Sequence, residues 1–321
     1  MYRSDVIKCI GNLRIGTYLQ RHSATPFFRF TRDPSPWYGT RRRRRRRRRC
    51  NSSSASARQP RALPGVEHVI LSTSAKGGVG KSFIAALLAT ALQQHVGLAT
   101  GLLDADLHGP SLHLLLPPVN SASSSDSSAT LQPLLTSSGV RLFSLGHMAR
   151  SPEQSFAFRG PIAARTIHQL LFDVRWAPLD VLVVDTPPGT GDILLALAQQ
   201  ARLSGALAVT TAHPLAVADT RRGLHLLQEQ LQVPLLGIVE NMAYYQCGHC
   251  GAQELLFADA QQPPSQPVDD LARHLHTTVL ARFPFTAAAF ANGGRIEPEG
   301  ALRAPAAQLA HQIARRLGYE V

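Results

Sequence analysis

Cysteine is scarce in this chain: 321 residues contain four, and two of them, Cys9 and Cys50, lie close to the start. Such a count excludes a disulfide framework as the source of stability. Long apolar runs are also missing. None reaches the roughly 18 residues that a membrane-crossing helix needs, so no integral membrane segment is expected. Acids are nearly absent from the first stretch, where residues 1–65 set 17 Lys/Arg against Asp5 and Asp33. The formal charge of +12 therefore belongs to that stretch, because the rest of the chain carries 16 Lys/Arg against 19 acids. A slightly acidic remainder argues against a polyanion-binding face, and no nucleic-acid partner is expected.

What is present in residues 1–65 is arginine and serine, with RRRRRRRRR at 41–49 followed by NSSSASAR. An Arg- and Ser-rich, acid-poor beginning reads as a disordered organellar targeting segment. A basic arm for nucleic acid or nuclear import is the competing reading. Residues 66–321 are expected to form one α/β domain, with a flexible Ser-rich insert, VNSASSSDSSAT, at 119–130. Continuously apolar runs at 66–71, 140–145, 179–185, 205–211, 234–240 and 278–284, with another ending at Asp104 and Asp106, predict strands. Helical patterns at 81–95, 161–173, 214–230 and 305–317 fall between or after them. Buried strands alternating with helices predict a doubly wound, mostly parallel sheet.

Three motifs close these strands. The first is Ala75-Lys76-Gly77-Gly78-Val79-Gly80-Lys81-Ser82-Phe83, between a strand and a helix. Converging backbone N–H groups at a helix N-terminus bind phosphate, and side chains on Cβ atoms would obstruct them, which accounts for the glycines. Lys81 is suited to the β- and γ-phosphates and the Ser82 hydroxyl to Mg²⁺. Ala75 stands where the usual G-x-x-x-x-G-K-[S/T] pattern has glycine. The second motif is D104-A-D106-L-H-G-P-S and the third D185-T-P-P-G-T-G-D192. Each puts carboxylates at the carboxyl edge of the sheet, where ligands bind in this fold class. Asp185 suits the Mg²⁺ shell, Asp104 and Asp106 suit orienting or deprotonating an attacking water, and Asp192 is equally well a helix cap. Cys247 and Cys250 form the single C-x-x-C, in Q-C-G-H-C-G. Two thiolates at this spacing can clasp a metal ion or one face of an iron–sulfur cluster, and full coordination takes four ligands. Zinc and a redox pair are the alternatives, although the surrounding glycines suggest a hairpin rather than the helix start a redox pair would open. His108, His168, His225 and His274 read as solvated or helix-surface residues.

Taken together, K-G-G-V-G-K-S, D-A-D-x-x-G-P-S, F-R-G-P at 158–161, D-T-P-P-G-T-G-D, G-I-V-E-N-M and C-x-x-C-G resemble the Mrp/ApbC (NUBP-like) family of deviant-Walker-A P-loop ATPases. The resemblance covers about residues 64–320 and is nearest the mitochondrial type. It implies a fold of the MinD/ParA/nitrogenase-iron-protein type, slow ATP hydrolysis, and a homodimer in which Lys76 reaches the phosphates bound by the other copy. It also implies that Asn241 contacts the adenine and that a labile [4Fe-4S] cluster bridges two subunits through Cys247 and Cys250. The implied activity is ATP-dependent cluster transfer to apo-proteins, respiratory complex I subunits among them, in the mitochondrial matrix, with plastid or cytoplasm as other addresses. Phe83 in place of threonine, the Ser-rich insert and His213 in T-T-A-H-P depart from the family pattern. A MinD/ParA-like ATPase acting on membrane or DNA is the alternative function, and C-x-x-C has no role in it.

Overall fold

The computed structural model describes residues 59–119, 131–148, 160–189 apart from 177, 191–257, 266–286, 296 and 300–321. Residues 1–58 of the leader, residues 120–130 of the Ser-rich insert, and Phe158 and Arg159 of F-R-G-P lie outside the described residues. What is described belongs to one compact unit, Ser56–Val321.

The chain runs β1 (Val66–Thr73), α1 (Lys81–Ala91), β2 (Thr100–Asp104), α2 (Leu112–Leu115), β3 (Leu134–Leu135), β4 (Arg141–Phe143), α3 (Gly160–Phe172) and β5 (Leu179–Asp185). It continues with α4 (Asp192–Gln200), β6 (Gly205–Thr210), α5 (Pro214–His225), β7 (Leu235–Gln246), β8 (Gln253–Leu255), α6 (Gln266–His274), β9 (Val279–Phe285) and α7 (Arg303–Leu317). The sheet order is β3-β4-β2-β5-β1-β6-β7-β8, with β9 also paired to β7. β1, β2, β4, β5, β6, β7 and β9 pair in parallel, and β3 and β8 are antiparallel to their neighbours.

Alternation along the central strands sends side chains to both faces. Ile70, Val181, Val183, Leu207 and Val209 join α1 and α7 in one core. Val69, Leu71, Leu182, Val184, Ala206 and Ala208 join α3, α4, α5 and α6 in the other. With helices burying both faces, the strands have no polar face to show, which is why they read as unbroken apolar runs. The architecture is the doubly wound, mostly parallel sheet expected from the pattern.

Several boundaries differ from the sequence-based expectation. The 81–95 helix loosens into a π-helical turn at Leu92–Val96, which ends at Gly97 with φ 82°. The run expected at 234–240 continues as a strand to Gln246. Residues ahead of 66 already pack on the domain: the Arg61 amide donates to the Gln200 carbonyl at 3.0 Å, Leu63 is buried, and the Arg61 guanidinium lies 4.7 Å from the Phe172 ring centre.

Candidate nucleotide and thiol sites

Parallel register gathers the three motif ends. Ser72 of β1 and Asp104 of β2 both pair with Asp185 of β5. Between β1 and α1 the loop turns through Gly78 at φ 80° and Gly80 at φ 81°, a left-handed conformation that favours glycine. At Gly80 a second demand applies, because a Cβ there would stand 2.2 Å from the Asn241 side-chain nitrogen. No side chain among the described residues caps α1, so its first amides are available to an anion beside open space at Gly77 and Gly78. The D-T-P-P-G loop is bound to the same ridge: Thr186 donates through its amide (3.1 Å) and hydroxyl (3.0 Å) to the Ser72 carbonyl, and the Gly189 amide to that of Ser74 (2.8 Å).

Lys81 and Asp185 form a buried ion pair at 2.5 Å, and the Lys81 ammonium also donates to the Ser82 hydroxyl at 3.4 Å. Asp185 is fully buried, and burial raises its pKa, opposed by the charge and hydrogen bond of Lys81. Its second oxygen, Oδ2, is buried without a hydrogen-bond partner, as is the Ser72 hydroxyl. An orphaned carboxylate oxygen close to a serine hydroxyl fits a hard cation such as Mg²⁺, which takes oxygen ligands.

Asp104 is held on both carboxylate oxygens. Its Oδ2 accepts from the amides of Ser111 (3.0 Å) and Leu112 (3.1 Å) and from the Ser144 hydroxyl (2.9 Å), and its Oδ1 from the Asp106 amide (3.2 Å). Burial first, then the charge of Asp185, raise it to about 7. A carboxylate so engaged orders the loop and the start of α2. Asp106 is half-buried, and its Oδ1 accepts from the His108 (3.4 Å) and Gly109 (3.3 Å) amides.

Lys76 is half-buried, and among the described residues no acid pairs with its ammonium. Ala75 lines a small cavity with Gly189, Leu194 and Gly223, which accommodates its methyl group. Phe83 packs partly buried against the α1/α7 core. Asn241 is buried and donates to the Val79 carbonyl at 2.9 Å, bracing the loop from β7.

Cys247 to Ala252 form the tip of an antiparallel hairpin between β7 and β8, closed by the Cys247 amide on Ala252 O and the Gly251 amide on Cys247 O, each at 2.9 Å. Cys247 is half-buried and Cys250 exposed. Backbone amides of Cys250 and His249, together with the Cys250 thiol, hold Cys247 below the usual thiol range. Among the described residues no cluster of three or more Cys, His, Asp or Glu could hold a metal, so this pair acquires no third ligand within the described chain.

The sequence reading missed two things here. His213 Nδ1 caps α5 by accepting from the Leu215 amide at 3.2 Å, and its ring meets Phe257, just beyond β8, edge-on at 5.6 Å. The proline after His213, at the first position of a helix, was the available signal for the cap. His168, expected to be solvated or on a helix surface, lies half-buried on α3, shares a hydrogen bond with Gln200 at 3.1 Å and packs against Phe172.

Comparison with known proteins agrees with this geometry. Residues 65–317 match the ParA family model described as NUBPL iron-transfer P-loop NTPase. An iron–sulfur cluster carrier protein of Escherichia coli (strain K12) is 39% identical over 220 residues, which is 68% of this chain and 57% of that protein. The iron–sulfur cluster transfer protein NUBPL of Dictyostelium discoideum is 37% identical over 206 residues, 63% of each chain. This chain thus spans less than two thirds of either relative. A solved nucleotide-binding protein from Archaeoglobus fulgidus, in complex with ADP, superposes with a TM-score of 0.56 at 30% identity, over 80% of this chain and 90% of that one. The cell-division ATPase MinD of Pyrococcus furiosus shares the fold, with a TM-score of 0.53 at 20% identity over 77% of this chain and 98% of that one.

Proposed function

The chain belongs to the NUBPL iron-transfer P-loop NTPase family, and from that premise we propose that it is an ATP-dependent carrier of iron–sulfur clusters. It holds a [4Fe-4S] cluster as cargo between two copies of itself and hands it to apo-proteins. One observation carries the reading: a half-buried and an exposed thiol, with no third ligand among the described residues, stand at the end of the same strand that braces a phosphate loop. Two thiols per chain make half of a tetrathiolate site, and a two-fold axis supplies the other half.

ATP hydrolysis is the general activity of P-loop NTPases. The amides from Gly77 to Ser82 and the Lys81 ammonium receive the β- and γ-phosphates, with Lys81 shared between phosphate and Asp185. Ser82 and Asp185 would hold Mg²⁺, which would supply positive charge to the phosphate oxygens. Asp106 orients water at the rim, while Asp104 fixes the loop that carries Asp106. Lys76, with no acid paired to it among the described residues, serves the phosphates held by the second copy, as an arginine finger does in trans. With its amino group on Val79, Asn241 keeps a carbonyl oxygen to accept from the adenine amino group. Nucleotide binding and hydrolysis then switch the geometry between the two copies.

Residues 1–65 direct the chain to the mitochondrial matrix, and complex I subunits are its clients. The acid-poor Arg/Ser composition and the family resemblance support this. Fusing residues 1–65 to a fluorescent protein tests the address, and a diffuse cytosolic signal would refute it. The carrier reading is tested by anaerobic reconstitution with iron and sulfide, counting both per dimer. Four of each are expected for one bridging [4Fe-4S] cluster, and Cys247→Ser protein should hold none. Equal iron in that variant rejects the carrier role.

A further inference from the structure

Both strands of the cysteine hairpin are anchored at the nucleotide edge, at two separate points. On β7, Asn241 grips the phosphate loop through Val79. At that point the strand is irregular: pairing with β9 shifts register between Glu240 and Tyr244, and Met242 sits at φ 53°. A left-handed conformation is unfavourable for any residue with a Cβ, and a methionine held there implies that its surroundings impose it. The Met242 side chain supplies one reason, since its terminal methyl lies 3.8 Å from where a Cβ on Gly80 would be. Bulges of this kind re-aim side chains beside functional sites. Here the bulge turns Asn241 onto the loop and then releases the strand toward Cys247. On the other side of the hairpin, Phe257 rests on His213, the cap of α5.

We propose that the Asn241–Ala243 bulge is the joint that couples the phosphate loop to the two thiols, with Met242 as its positioning residue and the Phe257–His213 contact as its second tether. Side chains alternate faces every residue along a strand, so flattening a bulge re-aims every residue beyond it. A nucleotide that shifts the Val79–Gly80 segment therefore moves the root of β7, and Cys247 with it, without any change in the core. The inference rests on the nucleotide-dependent carrier reading and names the route its coupling takes.

The test is the alkylation rate of Cys247 and Cys250 in the full-length, metal-free protein, with and without Mg-ATP. Peptide mass spectrometry resolves these two from Cys9 and Cys50. The parent rate should change about fivefold or more with Mg-ATP, the lower end of ordinary coupling between sites. Met242→Gly removes the side-chain brace and accepts the positive φ without backbone strain, and its thermal midpoint is measured beside the parent's; Phe257→Ala loosens the second tether. Each variant should bind nucleotide as the parent does and lose most of the Mg-ATP effect, Met242→Gly more than Phe257→Ala. A full nucleotide effect in both variants overturns the route. No effect in a parent that binds nucleotide and still reconstitutes a cluster overturns the coupling and leaves the carrier reading standing. Failure to reconstitute a cluster sinks the carrier reading instead.

Discussion

The phosphate end and the thiol tip are built on opposite principles although β7 joins them. At the phosphate end Lys81, Asp104 and Asp185 are almost wholly buried, and each is held by partners from distant parts of the chain. At the tip Gly248, His249 and Cys250 are exposed, and the turn is closed by its own backbone and the Cys250 thiol. The first region is prepared by the fold before any ligand arrives. The second is left incomplete, which suits a group that has to be received and then given away.

That contrast is broken most forcefully at Lys81. Lys81→Ala leaves Asp185 buried without its counter-charge, which costs about 3–5 kcal/mol, or roughly 10 °C in thermal midpoint for a domain of this size. Loss of the phosphate donor should also lower ATP hydrolysis at least ~100-fold. The double variant Lys81→Met/Asp185→Asn should recover most of the midpoint and none of the hydrolysis. If the single variant melts like the parent, the pair is not the fixture described.

One chemical change applied to both regions sharpens the difference. Gly80→Ala forces a Cβ into a φ 81° turn and against Asn241, an expected loss of about 2 kcal/mol or more in chemical denaturation. Gly248→Ala meets nothing within 4 Å and should stay within about 0.5 kcal/mol of the parent. Equal losses would mean that the tip is as tightly built as the loop.

A further expected effect is a slope with pH. Asp104 titrates near 7 in the fold against 3.8 as its ordinary value, so the folded chain binds that proton more tightly than the unfolded one. Its stabilising share is complete below the unfolded value and drains away as pH rises through the folded one. The thermal midpoint should therefore fall between about pH 5 and pH 8. Asp104→Asn should be less stable than the parent at the acid end, because its amino group would face the Asp106 amide, yet it should show a shallower fall. Parallel slopes would remove the assignment.

Much of the phosphate end was legible in the sequence because its signals are local. Apolar runs ending in Asp104 and Asp185, and glycines between a strand and Lys81, have meaning within a dozen residues of chain. Parallel register then had to bring those ends together, and it did. What escaped notice depends on partners remote in sequence. The hydroxyl of Ser144, forty residues on, holds Asp104, and no spacing announces it. Nothing in residue preference places a methionine at φ 53°, so the bulge at Met242 and the full length of β7 were invisible. The knuckle at Cys247 and Cys250 was visible as chemistry, whereas its tether through Phe257 to His213 was not.

One helix bears on how the chain comes into being. α7, the last element, shares a core with α1, the helix that opens at Lys81: Ile84, Leu88, Leu309 and Ile313 lie in the same buried cluster. During synthesis, α1 and the loop ahead of it leave the ribosome long before their cover exists. A helix of eleven residues is marginal without such packing. The helix that opens at Lys81, and with it the phosphate-binding loop, is therefore completed only when α7 packs on it.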